Sequence, residues 1–155
     1  MKKAFLSLLL AISISLPINA AEPDAMSIVR IDTDEQIEEE ITEGELELLA
    51  CLVWAEARGE DQMGKRLVVD VVLNRVDSPS FPSTITDVIY QRNQFSPVTD
   101  GNLQKAFTEV TPECYEAVAA ELEQRTDSEI LYFTAGGYGR YGTPAFRAGN
   151  HWFCK

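Results

Sequence analysis

Between Leu46 and Val53 the chain sets Leu46, Leu48, Leu49, Leu52 and Val53 almost back to back. Within one further turn it places a carboxylate, in the stretch Trp54-Ala55-Glu56-Ala57-Arg58-Gly59-Glu60. A segment this apolar is stable only inside a core, so the carboxylate at its end is carried at least partly out of water. The run reads as a buried helix ending near Arg58-Gly59, with the glycine as a stop signal. A second helix is predicted from Asp61 to about Val76. There Met63, Leu67 and Val71, and beside them Val68 and Val72, recur four residues apart and make one apolar face.

The remaining segments are shorter. Asp77-Ser78-Pro79-Ser80 is a turn, and Ser83 is a good N-cap for a short helix reaching Tyr90. Residues 91–101 read as a loop containing Pro97 and an Asp100-Gly101 turn. Thr111-Pro112-Glu113 joins an N-cap, a proline in the first helical position and an acid in the first turn, predicting a helix to about Arg125. Ile130 to Thr134 is branched and aromatic like a strand, and the glycine-rich stretch from Gly136 to Gly142 is an irregular loop. Phe146 to Phe153 is expected to return as a second strand paired with the first. No internal repeat is visible. The expected fold class is α+β, mainly helical, in a single domain with a small C-terminal β element.

The N-terminus has a different character. Met1-Lys2-Lys3 is basic, Ala4 to Ile18 is an apolar run, and the small residues Ala20 and Ala21 follow, which is the layout of a secretory signal peptide. The run falls short of the roughly 20 residues of a comfortable membrane span. Residues 1–20 are therefore expected to be a signal peptide, 21–45 an acidic and flexible segment, and 46–155 the folded domain. The protein is expected to be exported, periplasmic or extracellular, with no stable membrane insertion once the leader is removed, and a monomer.

Charge narrows the partners. The chain has 13 basic and 25 acidic residues; the leader takes Lys2 and Lys3 and no acid, which leaves a net charge of −14. Nucleic acid is excluded as a partner, since binding phosphates takes clustered Lys and Arg. A neutral glycan chain is compatible with such a balance. Three cysteines, Cys51, Cys114 and Cys154, allow three pairings in an oxidising compartment. Cys114–Cys154 is the expected one, because it would fasten the C-terminus, while Cys51 lies in the apolar run and is expected to be buried.

The candidate for chemistry is Glu56. A carboxyl group at the end of an apolar helix, beside a tryptophan and two alanines, is desolvated enough to stay protonated near neutral pH, as a general acid must. Glu60, one turn on, would push the same way, and Arg58 would oppose it if it folded back. A structural carboxylate paired with Arg58 or Arg75 fits the same pattern.

A resemblance weighs on that choice. Glu56-Ala57-Arg58-Gly59-Glu60, Gly64, and the stretch Val69 to Val76 with Leu73-Asn74-Arg75-Val76 resemble the SleB-type cell-wall hydrolases, which include spore cortex-lytic enzymes. The likeness continues through Phe81-Pro82, Val88-Ile89-Tyr90, Gln94-Phe95-Ser96, Leu131-Tyr132-Phe133 and Gly149-Asn150-His151-Trp152-Phe153. It implies that residues 46–155 are a lysozyme-like catalytic domain with lytic transglycosylase activity on peptidoglycan glycan strands, and no cofactor or metal. The family's catalytic glutamate corresponds to Glu56, which would protonate the bridging oxygen between N-acetylmuramic acid and N-acetylglucosamine. It would then take a proton from the muramic C6 hydroxyl as that closes on the anomeric carbon. A water-using glycosidase normally needs a carboxylate pair, and Glu60, Asp70 and Asp87 are as easily surface groups. Substrate-binding candidates are Asn74 (a candidate also for orienting Glu56), Gln94 and Ser96 in the loop, Tyr132 on the strand, and His151. Tyr138 and Tyr141 in the glycine-rich loop are suited to stacking on sugars.

Two other classes compete. A cysteine peptidase or amidase on wall peptides would pair Cys51 with His151, although Cys51 has no obvious thiolate-stabilising neighbour. A wall-binding protein without turnover would retain the fold alone. A zinc peptidase is disfavoured, because one histidine and scattered acids do not make the usual ligand set.

Overall fold

Thr42 and Glu45 start the first helix by capping each other's backbone: Glu45 N donates to Thr42 Oγ1 at 3.3 Å and Thr42 N to Glu45 Oε2 at 3.1 Å. The computed structural model describes residues 41–155, so the expected signal peptide and residues 21–40 of the acidic segment lie outside the described residues. Helix α1 spans Glu43–Ala57, beginning inside the segment expected to be flexible. Its residues Leu48 to Trp54 are all buried, so it runs through the centre of the core.

Helix α2, Gln62–Asp77, begins on Asp61, whose Oδ1 accepts from Gly64 N at 2.8 Å. It is sandwiched rather than one-faced. Val68, Val69, Val72 and Leu73 pack into the main helical core, whereas Leu67 and Val71 join Ile130 and Phe153 under the sheet. Met63, expected on the apolar face, is instead 47% exposed. Helix α3, Ile85–Tyr90, is capped by Thr84, not Ser83, through Asp87 N to Thr84 Oγ1 at 3.1 Å.

The expected loop 91–101 holds a single helical turn, α4 (Pro97–Asp100), and α5 (Asn102–Glu109) follows it directly. Gly101 separates the two in the left-handed conformation, φ 85°, a position that favours glycine. Helix α6, Pro112–Glu123, starts where the Thr-Pro-Glu signal put it and packs against α1 and α2.

The tail is a hairpin, not one returning strand. β1 (Tyr132–Ala135), β2 (Pro144–Ala148) and β3 (His151–Cys154) form an antiparallel sheet in the order β1-β3-β2, with Phe133 opposite Phe153. The chain turns between β2 and β3 at Gly149-Asn150. There Glu60 accepts from Asn150 N at 3.1 Å and from its Nδ2 at 2.8 Å, tying the turn to the start of α2.

The Cys114–Cys154 pairing is not formed: all three cysteines are free and buried. Cys114 sits in the helical core on α6 and Cys154 on the central strand. The C-terminus is held by backbone bonds instead, with Leu131 N donating to Cys154 O at 2.9 Å and Lys155 N to Thr143 O at 2.9 Å.

Candidate active site

Glu56 occupies the last turn of α1 and looks into a cleft of about 540 Å³ between the helical layer and the sheet. Arg75 of α2, the loop Asn93 to Ser96, and Thr99 of α4 form part of its wall; Phe133, Thr134 and Ala135 of β1 and His151 of β3 complete it. Among the residues that line this cleft, Glu56 is the only acid.

The carboxylate is unpaired among the described residues. Arg58 lies over the Trp54 ring, 4.7 Å from its centroid, and donates to Ala55 O. Arg75 donates from Nε to Leu131 O at 2.8 Å, with its guanidinium among the rings of Phe81, Phe95 and Tyr132. Neither expected structural partner makes an ion pair with Glu56. Burial, and after it the negative charge of Asp100, push the Glu56 pKa up to about 7. Glu60 was expected to supply that charge, but its carboxylate is spent on Asn150, which holds its pKa below the ordinary carboxylate value. The effective charge comes from Asp100 at the end of α4, in a stretch whose sequence shows only a turn.

The other candidates separate. Gln94, Ser96 and His151 line the cleft with Glu56. His151 is 6% exposed, 5.0 Å from the Phe133 ring centroid, and its Nδ1 has no hydrogen-bond partner. Burial lowers its pKa below the ordinary imidazole value, against the negative charge of Glu60, which raises it. Tyr132 faces an adjoining cavity that shares Arg75, Gln94 and Phe133 with the cleft, and Tyr141 stacks on it.

Asn74 must be corrected. Its Nδ2 donates to Asp127 O and Ile130 O, both at 2.8 Å, and its Oδ1 accepts from Arg125 Nη2. The amide is 4% exposed and lines neither cavity. It holds the connection from α6 to the sheet and leaves nothing for a sugar. Asp70, too, is buried rather than on the surface, and accepts from Arg125 Nε at 2.8 Å.

Sequence reasoning missed Asn93, Thr99, Phe133 and Thr134 in the cleft wall. Phe133 and Thr134 were legible as strand residues; Asn93 and Thr99 lie where no periodicity marks them. Cys51 is fully buried in α1, lines neither cavity, and has its pKa raised to about 11 by burial and then by Glu47 and Cys114. A thiol that stays protonated is a poor nucleophile, and the peptidase reading loses its key residue. Among the described residues, no three His, Cys, Asp or Glu side chains converge as a metal-ligand set.

The chain resembles known proteins in sequence and in shape. The model of the Cell Wall Hydrolase family matches residues 59–154, beginning three positions after Glu56. A spore cortex-lytic enzyme of Bacillus cereus is 32% identical over 120 residues, covering 74% of this chain and 45% of its own length. One from Bacillus subtilis is 34% identical over 117 residues, covering 72% of this chain and 37% of its own. The chain thus spans less than half the length of these relatives. The catalytic domain of the Bacillus cereus SleB protein superposes with a TM-score of 0.67 at 28% identity, over 76% of this chain and 94% of that domain. That of the germination-specific lytic transglycosylase SleB from Bacillus anthracis gives 0.66 at 26% identity, over 77% and 100%. The mainly helical, lysozyme-like α+β fold expected from the sequence is the one found. With the family match running from the end of α1 through the last strand, the chain belongs to the Cell Wall Hydrolase family.

Proposed function

We propose that this protein cleaves peptidoglycan glycan strands between N-acetylmuramic acid and N-acetylglucosamine as a lytic transglycosylase, with Glu56 as general acid and then general base. The observation that carries the reading is a lone, unpaired, half-buried carboxyl group with a pKa of about 7 in an open cleft. At neutral pH such a group is divided between its two forms, which suits a residue that must first give a proton and then take one. Protonating the bridging oxygen breaks the glycosidic bond. The carboxylate left behind removes the proton of the muramic C6 hydroxyl while the hydroxyl oxygen bonds to the anomeric carbon, so no water is added and one acid suffices. A cleft with a single acid supports this route over hydrolysis by a carboxylate pair. The relatives are named as cortex-lytic enzymes, and one structural neighbour as a lytic transglycosylase.

We take Gln94, Ser96 and His151, which line the Glu56 cleft, to contact substrate there, and Tyr132 to do so in the adjoining cavity. Acting on the wall requires export, which the basic-apolar-small N-terminus supports; no described helix is long and apolar enough to cross a membrane. We take the active form to be a periplasmic or extracellular monomer. The test is to incubate residues 21–155 with purified peptidoglycan and weigh the released fragments, beside a Glu56→Gln control. Fragments lighter than the hydrolysed forms by one water, reduced at least about a hundredfold in the control, are expected. Reducing ends, or full activity with Gln at 56, would sink the proposal.

A further inference from the structure

The cavity that adjoins the Glu56 cleft encloses about 370 Å³, within the roughly 300–1,000 Å³ typical of ligand sites. Its charge is at odds with the rest of the molecule. Arg75 and Arg92 line it and no acid does, although the whole chain carries a formal charge of −12. Arg75 is only 3% exposed, yet it makes no ion pair among the described residues. Its Nε donates to Leu131 O, but its Nη1 has no hydrogen-bond partner.

A buried guanidinium is ordinarily matched by a carboxylate, because a lone charge is costly to take out of water. The rings of Phe81, Phe95 and Tyr132, at 5.1, 5.1 and 5.5 Å from Arg75 Cζ, cushion the cation without accepting its N–H groups. Arg92 is exposed in the loop after α3, with no carboxylate paired to it among the described residues. Two arginines facing one cavity without a counter-charge make a receptor for an anion, and a planar fork favours a carboxylate.

We propose that this cavity is a subsite for the peptide stem of the glycan strand, with Arg75 and Arg92 receiving the stem's carboxylates. The inference rests on the proposed reading of the Glu56 cleft: a stem branches from a muramic residue, and the shared wall of Arg75, Gln94 and Phe133 places the two cavities side by side. The stacked rings of Tyr132 and Tyr141, 5.9 Å apart, give the stem an apolar surface to lie against.

The test compares peptidoglycan freed of phosphate polymers with the same material after its stem carboxylates have been converted to neutral amides by carbodiimide and ammonia. The Glu56→Gln chain, which cannot turn over, is pelleted with each, and the wild type is assayed for release from each. An acidic protein repelled by an acidic wall would bind the amidated wall better. The arginine subsite predicts the reverse, about tenfold tighter binding to the native wall, as for loss of a charge-assisted hydrogen bond. Adding Arg92→Gln, an exposed substitution, should lower that ratio severalfold, with Arg75 supplying what remains. A ratio at or below one without Arg92→Gln, or one that Arg92→Gln leaves intact, would overturn the subsite. Release from neither preparation would overturn the glycan-cleaving reading instead, and the binding arm, which needs no turnover, tells the two failures apart.

Discussion

At the scale of single residues the site turns on how much it costs to ionise Glu56. Burial and the Asp100 charge both oppose ionisation, so the acid form persists up to about pH 7. If that form starts the reaction, kcat/KM should fall about tenfold per unit above that pH. Asp100→Asn keeps the side-chain oxygen that accepts from Asn102 N at 2.9 Å and removes the charge. The alkaline limb of the pH–rate profile should then move to lower pH, and an unmoved limb would show that Asp100 does not tune the acid. The same group should cost stability. Its folded pKa lies above its unfolded value of 4.5, so the favourable contribution is complete below pH 4.5 and is lost as pH rises through about 7. Glu56→Gln should therefore leave stability unchanged near pH 4 and raise it by about 2 kcal/mol at pH 8, measured by denaturant unfolding at both.

Among the elements, the connection from α6 to β1 shows where sequence reading stops. The long helices were legible because the Leu46–Val53 run and the four-residue Val rows of 68–72 carry their own periodicity, and Thr111-Pro112-Glu113 announces α6. The short helices α4 and α5 were not, since α4 has four residues and α5 only Leu103 and Ala106 buried. The C-terminal hairpin was legible in Gly149-Asn150, a two-residue turn signal that reading 146–153 as one strand passed over; Gly149 takes a positive φ of 55° there and Glu60 bonds Asn150. Glu56 could be chosen from its neighbours in the chain, but Asn74 could not be judged that way, because its partners lie 51 to 56 positions distant. A buried amide satisfying two carbonyls is a structural device. Asn74→Ala should cost about 2–3 kcal/mol by leaving those carbonyls without a donor. Its kcat/KM, assayed well below the unfolding temperature, should stay within about threefold of wild type, since about 1 kcal/mol at the transition state would already exceed that. A large loss in kcat/KM with stability preserved would return Asn74 to the site.

For the whole molecule the question is what holds a helical layer and a three-stranded sheet together. Helix α2 belongs to both cores: Val68, Val69, Val72 and Leu73 serve one, Leu67 and Val71 the other. Ion pairs to buried carboxylates fasten α2 to α6 and the connection that follows it, with Arg66 on Glu121 and Arg125 on Asp70 each at 2.8 Å. No cross-link contributes among the described residues, since Cys51, Cys114 and Cys154 are separate and buried. Had Cys114 and Cys154 been joined, closing a loop of about 40 residues would have added about 4 kcal/mol of stability on the chain-entropy model, and reduction would lower Tm by more than about 10 °C. With the cysteines free, Tm should be the same with and without reductant, and all three thiols should react with a thiol reagent only after unfolding. Cys51→Ala supplies the functional half of the test. It opens a small void in α1 and should lower Tm modestly, yet it should leave turnover of peptidoglycan intact, because a buried thiol with a pKa of about 11 has no part in the chemistry. A reductant-sensitive Tm would mean that the C-terminus is held covalently and that the backbone bonds of Leu131 and Thr143 are not what fastens it.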